Sequence, residues 1–447
     1  MNDKLLKGSI TRNLLLFSLP IFAGAVFQQL YNLVDSVIVG RFVGMRALAA
    51  VGSTGPLTFF VLGMMMGLTS GFGIMIAQAF GAGDQERLRR YVGQAMTLSL
   101  IISVLMTIIL LLTNHQVLAL MRTNPEIYRD TDTYIRIIYA GLISAFFYNL
   151  FSCILRALGD SRTPLYFLVL SSALNIVLDI VLVAGLGRGV AGAGYATVIS
   201  QVVSGAACYI YMLKKYPILR LRREHYRLEW GAVKLLLGTG IPMGLQFSIT
   251  AIGTMMIQAA LNGLSAAHIA GYAAAMKIQN ITMQTYVSIG VALATFTGQN
   301  IGAGNTSRIC RGVRVGAMLC AISAVICACF SYILSDQLIL LFLKEYDASV
   351  LEAAKTYFGI AIWFYLPLGQ IFVYRNVLQG IGESVAAMFG GLLELIARAA
   401  AILFAAPLWG YPGIVAADPA AWIAALLILI PYYYYYRRRW RYRSSPQ

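Results

Sequence analysis

The sequence predicts an all-α integral membrane protein of twelve transmembrane helices in two six-helix lobes, related by a pseudo-two-fold axis along the membrane normal. Three observations carry that prediction. Hydrophobic residues make up 59% of the 447 and charged residues only 12%, and the mean hydropathy is +0.74, outside the range of water-soluble domains. Twelve stretches stay apolar over about 20 residues, the length a helix needs to cross roughly 30 Å of hydrocarbon. The run Ala77-Gln78-Ala79-Phe80-Gly81-Ala82-Gly83-Asp84 returns 221 residues later as Gly298-Gln299-Asn300-Ile301-Gly302-Ala303-Gly304-Asn305, so six stretches belong to each of two copies of one unit. An even number per copy makes both copies enter the bilayer in the same sense, and repeats of this kind in a transporter place the substrate between them.

The first stretch, 13–37, follows a polar start, contains Pro20 and runs too long for a cleavable signal, so it reads as a retained helix. The second, 52–79, carries Gly63, Gly67, Gly71 and Gly73, which let helix backbones approach closely. The third, fourth, fifth and sixth cover 91–113, 131–153, 161–185 and 190–212, with Leu155 to Ser161 (LRALGDS) at the turn into the fifth. A polar, basic segment then interrupts the apolar pattern at the midpoint of the chain. The predicted organisation is an N-lobe over 1–213, a cytoplasmic linker over 214–233 and a C-lobe over 234–447. The seventh stretch, 234–258, has Pro242 opposite Pro20, and Gly263 and Gly271 stand opposite Gly44 and Gly52. The eighth to twelfth cover 268–297, 311–335, 352–378, 384–407 and 412–436, and Leu378 to Ser384 (LQGIGES) repeats the earlier turn. Tyr432 to Tyr436 and the arginines after them suit a helix end at the inner leaflet.

A net charge of +16 would suggest nucleic acid in a soluble chain. Here the basic residues sort by loop: with the N-terminus cytoplasmic, about 24 fall on that side, Arg375 counted among them, against roughly eight on the other. Both termini are therefore expected in the cytoplasm. The excess is assigned to topology and anionic lipid headgroups, with membrane lipids as partners and no nucleic acid. The six cysteines lie in or beside helices with no histidine at a ligand spacing, so they read as packing residues, with neither disulfide nor metal. Neither Gly-Ala-Gly loop continues into the Gly-Lys-Ser/Thr of a nucleotide cradle. No cofactor is expected beyond a coupling ion, and the driving force would be an ion gradient or the substrate's own. An intramembrane enzyme would need paired aspartates on metal loops, a His-Glu zinc helix or a serine dyad. His115, His225 and His268 fall at helix ends or in the linker, so the chain does not read as an enzyme.

An ionised side chain at a helix centre costs about 2.5–3.5 kcal/mol on insertion scales, so each one requires a reason. Six do: Asp35, Asp179, Lys277, Glu394, Arg398 and Asp418. Asp35 has no basic residue within a turn on its own helix. Asn175 and Asp179 are four apart and share a face. If Asp35 and Asp179 line one cavity, they would hold protons or a cation as a coupled unit. Oxygen ligands would also suit sodium, which leaves the ion open. Glu394 and Arg398, in the Glu-first order at the same spacing, are expected to neutralise each other. Lys277 lies about 15 Å deep at 1.5 Å per residue, and is expected to face the interior toward Glu394. Asp418 precedes Pro419 and is expected to satisfy the backbone groups that proline frees. Lys277, Glu394 and Arg398 thus form a candidate polar locus in the C-lobe.

The runs Gln29-Leu30-Tyr31-Asn32-Leu33-Val34-Asp35, Gly40-Arg41, Ala47-Leu48-Ala49-Ala50-Val51-Gly52 and the paired Gly-Ala-Gly loops resemble the multidrug and toxic compound extrusion (MATE) family over nearly the whole chain. The resemblance implies an antiporter that expels cationic and amphipathic drugs in exchange for protons or sodium, by alternating access. One prokaryotic branch carries its ion site in the N-lobe, and Asp35, Asn175, Asp179 and Thr197 match that pattern, with Tyr139 as a further member and Pro20 as the helix bend. Another branch uses acids in the seventh and tenth helices. Here the seventh has no carboxylate and Glu352 lies only at the start of the tenth. A flippase for a lipid-linked sugar or other lipid precursor is the alternative the architecture allows. It would need several basic residues deep in the helices, where only Lys277 and Arg398 are expected. The implied substrate is a small cationic or amphipathic molecule, handled by a monomer.

Overall fold

A computed structural model describes residues 3–340 and 347–444. The outermost residues of the predicted lobes, 1–2 and 445–447, and the internal stretch 341–346 lie outside the described residues. Helix α1 runs unbroken over Ile10–Phe42 with Pro20 inside it, and a short α2 covers Met45–Ser53. There follow α3 (Gly55–Gly81), α4 (Gln85–Leu120), α5 (Pro125–Ala140), α6 (Leu142–Ala157), α7 (Arg162–Asp179) and α8 (Gly189–Lys215). The second half comprises α9 (Trp230–Leu261), α10 (Ala266–Gly302), α11 (Thr306–Leu340), α12 (Ala348–Ala361), α13 (Tyr365–Ile381), α14 (Ser384–Ala400), α15 (Ala406–Trp409), α16 (Tyr411–Val415) and α17 (Ala417–Ser444).

Among the described residues these helices group into twelve spans. The fourth is the pair α5 and α6, bent by 48° at Gly141. The tenth is α12 with α13, the eleventh α14 with α15 and the twelfth α16 with α17. Ten spans are long and apolar by composition alone, an eleventh is the bent pair, and the twelfth to be found is α10. Lys277, Gln279, Asn280, Gln284, Gln299 and Asn300 lower its hydropathy below that of its neighbours.

The two copies of the unit repeat in geometry as well as in sequence. Gly83 and Gly304 take nearly the same left-handed backbone, φ +71° and +69°, a conformation that favours glycine. Asp84 then accepts a hydrogen bond from Arg87 N at 2.9 Å and Asn305 accepts one from Arg308 N at 3.3 Å, so the same position caps the following helix in both copies. Both α7 and α14 end in a π-helical turn, Ile180–Gly185 and Ala401–Ala405.

The compact units do not divide at the linker. Among the described residues, one consists of Ala23–Ile241 and the other of Asp3–Phe22 with 242–340 and 347–444. The chain changes unit inside α1 and again inside α9, beside Pro20 and Pro242. The segment predicted as linker is also shorter than 214–233, because Lys214 and Lys215 end α8 and Trp230 already begins α9.

The first unit packs small residues where backbones meet, as helices in lipid do for want of a hydrophobic drive between them. A Cβ on Gly71 would come within 2.5 Å of the Gly240 backbone, so α3 and α9 touch main chain to main chain. The linker is clamped to the start of α4. His225 is buried, accepts a bond from Arg222 N and faces Glu86, while Arg89 donates to the Ile218 carbonyl and Thr97 to that of Tyr226. In the second unit, buried Arg308 plays the corresponding part. Its guanidinium donates to the carbonyls of Leu5, Lys7 and Gly8 at 3.2, 2.9 and 3.0 Å, which straps the segment before α1 onto the start of α11.

Candidate functional site

Asp35 lies on α1 one turn beyond Tyr31, and Asn175 and Asp179 occupy the last turn of α7 before its π turn. Asn175 and Asp179 are 1% and 0% exposed, among the most deeply buried polar side chains in the first unit. The Asp35 and Asp179 carboxyl groups lie within electrostatic reach of each other. Among the described residues Asp35 Oδ1 is buried with no hydrogen-bond partner, which leaves an acceptor open toward the pair.

A ring of neutral polar groups surrounds the two acids. Asn175 Nδ2 donates to Thr197 Oγ1 at 3.3 Å, and Thr197 in turn donates to the Ala193 carbonyl at 3.1 Å. The Tyr31 hydroxyl hydrogen-bonds Thr197 and lies within electrostatic reach of both aspartates. Tyr134 on α5 faces Asp35, Tyr31 and Asp179. The structure thus brings together Asp35, Asn175, Asp179 and Thr197, and adds Tyr31 and Tyr134. It does not bring Tyr139 to them. Tyr139 packs among Val61, Met65, Leu68, Ile135 and Phe146, because five residues beyond Tyr134 turn a helical side chain by about 140°, onto the opposite face.

Sequence reasoning had a signal for Tyr31, which precedes Asp35 by four on the same helix. It had none for Tyr134, one aromatic residue among several on an amphipathic helix. Pro20 lies outside this unit, three residues before Ala23, where α1 enters it.

The second unit holds a different cluster. Arg375 on α13 contacts Glu394 on α14, Arg398 Nη1 lies 3.7 Å from Glu394 Oε2 and Arg398 Nε lies 2.9 Å from Asp418 Oδ1 on α17. All four residues are at most 8% exposed. Three expectations change here. The intrahelical contact between Glu394 and Arg398 is the longest of the three, because neighbouring helices supply shorter partners. Asp418 serves Arg398 rather than a proline break, since Pro419 falls in the first turn of α17, where its missing N–H leaves no hydrogen bond unmade. Lys277 lies on the exposed face of α10, and Glu394 takes two arginines instead. Arg375, counted from sequence among the loop residues, is buried in the last turns of α13. Two positive and two negative groups compensate each other, whereas the partner of Asp35 is a second acid.

Two repeats of six spans with a pair of acids inside one of them have the architecture of a polytopic helical transporter. The chain belongs to the MATE family: the MatE family model matches residues 20–181 and 242–401, stretches that begin at Pro20 and Pro242. It is 30% identical over 389 residues to the probable multidrug resistance protein YoeA of Bacillus subtilis, covering 86% of this chain and 84% of the relative. It is 25% identical to the probable multidrug resistance protein NorM of Thermotoga maritima, over 85% and 82% of the two chains. Among solved structures, an outward-facing multidrug resistance MATE family transporter of the MOP superfamily superposes with a TM-score of 0.90 at 23% identity, over 99% of this chain and 98% of the other.

Proposed function

We propose that this chain is an ion-coupled efflux antiporter for cationic or amphipathic compounds, in which Asp35 and Asp179 alternately hold a proton or sodium ion and release it in exchange for substrate. One observation carries the reading: two carboxyl groups within electrostatic reach of each other, Asp179 fully buried, edged by Tyr31, Tyr134, Asn175 and Thr197. Two neighbouring acids become more negative when they give up a bound cation, and so attract a cationic substrate in one state more than in the other. Antiport requires only that ion and substrate exclude each other, and rocking of two repeats about the loaded site supplies the access change. Pro20, near the change of unit in α1, is the proposed bend, because a proline leaves a backbone carbonyl unbonded in mid-helix.

The multidrug relatives support the substrate class, and bacterial relatives support a prokaryotic plasma membrane; both termini are proposed to lie in the cytoplasm on the distribution of basic residues. The protein is proposed to act as a monomer with no cofactor beyond the coupling ion. A flippase of lipid-linked sugars would need basic groups available for phosphate, and Arg375 and Arg398 are each engaged by a carboxylate. Ethidium export from cells carrying Asp35→Asn is expected to fall to the level of cells without the transporter. Export equal to wild type would refute the assignment. Proteoliposomes with proton and sodium gradients imposed separately identify the ion.

A further inference from the structure

The two polar clusters occupy the same place in the two repeats. The matching turns Leu155–Ser161 and Leu378–Ser384 set Asn175 opposite Arg398, with no insertion between turn and residue. Gly192 packs on the Leu182 carbonyl, where a Cβ would meet it at 3.1 Å, and Gly413 packs on the Ala405 carbonyl, at 2.3 Å. Leu182 and Ala405 correspond in the same register as Asn175 and Arg398, so Gly192 matches Gly413. Five residues beyond these glycines stand Thr197 and Asp418. The hydrogen bond from Asn175 to Thr197 in one repeat is thereby the ion pair from Arg398 to Asp418 in the other.

The helices that open the repeats agree. Pro20 opposite Pro242 sets Tyr31 opposite Gly253 and Asp35 opposite Ile257. Where Tyr31 reaches Thr197, Gly253 has no side chain, and a Cβ there would come within 2.9 Å of Arg398 Nη1. The larger guanidinium fills the room that the tyrosine leaves, and buried Ile257 removes the acid that Asp35 provides.

We infer that Arg398 is a tethered cation, built into the C-lobe counterpart of the coupling site, and that it confines ion exchange to the N-lobe. The inference rests on the N-lobe reading for what the site exchanges, but it makes a separate claim: Asp418 is held by a guanidinium that cannot leave. Without Arg398 the remaining charges are Arg375, Glu394 and Asp418, one carboxylate in excess, and a buried carboxylate without a partner takes up a proton or another cation.

The experiment uses the purified full chain in detergent, with sodium-22 binding and proton uptake by a pH indicator as readouts. Asp35→Asn with Asp179→Asn is expected to lose the bound cation, and unchanged binding in that variant would sink the N-lobe reading alone. Adding Arg398→Asn is expected to restore about one proton or sodium ion per chain. Adding Asp418→Thr as well, which copies the Asn–Thr pair of the N-lobe, should abolish it again. A folded Arg398→Asn variant that binds nothing more than its parent, or binding that survives Asp418→Thr, overturns the inference. Should Arg398→Asn alone fail to fold, size-exclusion chromatography of Arg398→Asn with Asp418→Thr is expected to show the monodisperse protein restored. Failure of that rescue counts equally against it.

Discussion

Tyr31 and Tyr134 show how a single hydroxyl can be placed to tune the acid pair. Tyr31 holds Thr197, which holds Asn175, so removing its oxygen loosens a chain that ends beside Asp179. A hydrogen bond of this kind contributes about 1 kcal/mol, so Tyr31→Phe is expected to shift the ion concentration for half-maximal export about five-fold. Tyr139→Phe should leave that dependence unchanged. Its hydroxyl is buried with no hydrogen-bond partner among the described residues, so deleting it is neutral or slightly stabilising. Ion titrations of export in the two variants separate the roles that sequence alone could not, because a tyrosine flanked by apolar residues looks the same whether it packs or points at a charge. Asp35 was legible for the opposite reason, since an acid amid Leu33, Val34, Val37 and Ile38 has no apolar role to fill. Outside the spans, Asp160 is a second residue with a readable charge. Burial opposes its ionisation, but bonds from Lys215 Nζ at 2.8 Å, Thr163 and the Tyr216 hydroxyl hold its carboxyl down at about 2, against an ordinary 3.8. An aspartate lowered on folding adds stability above its unfolded value and loses it as pH falls through the folded one. Wild type is therefore expected to lose about 2 kcal/mol between pH 4 and 2, and Asp160→Asn to lack that stability at neutral pH already. Thermal unfolding across pH in detergent checks both.

At the scale of elements, the repeats were legible because glycine loops and prolines mark helix ends and bends, and these recur in register. Two features escaped. Helix α2 follows Gly44, a glycine with φ +110°, and was absorbed into a loop because its nine residues are too few to register as a span. Arg375 was placed in a loop because a lone arginine near a helix end cannot be told from a snorkelling one until its partner Glu394, on another helix, is known. Close helix approach, by contrast, could be read from the glycines of α3, and it yields a test. Gly71→Ala sets a methyl group against the Gly240 backbone, which has no flexible end to move aside, and is expected to cost about 1–3 kcal/mol of stability. Gly231→Ala, in the open first turn of α9 with nothing within 4 Å, should be neutral or stabilising. Melting temperatures of the two variants in one detergent decide it. The strap before α1 adds another: Arg308→Ala removes three carbonyl contacts at once and is expected to speed trypsin cleavage after Lys4 and Lys7 relative to wild type.

For the whole molecule, the sequence conveys how many spans there are and which ends are basic, but not which parts pack as one body. Contiguous repeats suggest a division at the linker, yet Asp3–Phe22 packs with the second repeat and the start of α9 with the first. No residue pattern announces that, because an apolar helix face reads alike whichever bundle it joins, and only Pro20 and Pro242 mark the places. Orientation is a different kind of whole-chain property, summed from many weak preferences rather than fixed by any one contact. It is also the property on which the direction of proposed efflux depends, since a transporter inserted the other way would load its ion from the wrong side. In a background lacking the native cysteines, Ala82→Cys and Ala303→Cys place exposed thiols on the two Gly-Ala-Gly loops, and Ala266→Cys places one at the opposite end of α10. Intact cells treated with a membrane-impermeant maleimide should label Ala266→Cys alone, and permeabilised cells all three. Labelling of the two loop positions in intact cells would reverse the chain in the bilayer, and the basic excess would then need a source other than the cytoplasmic leaflet.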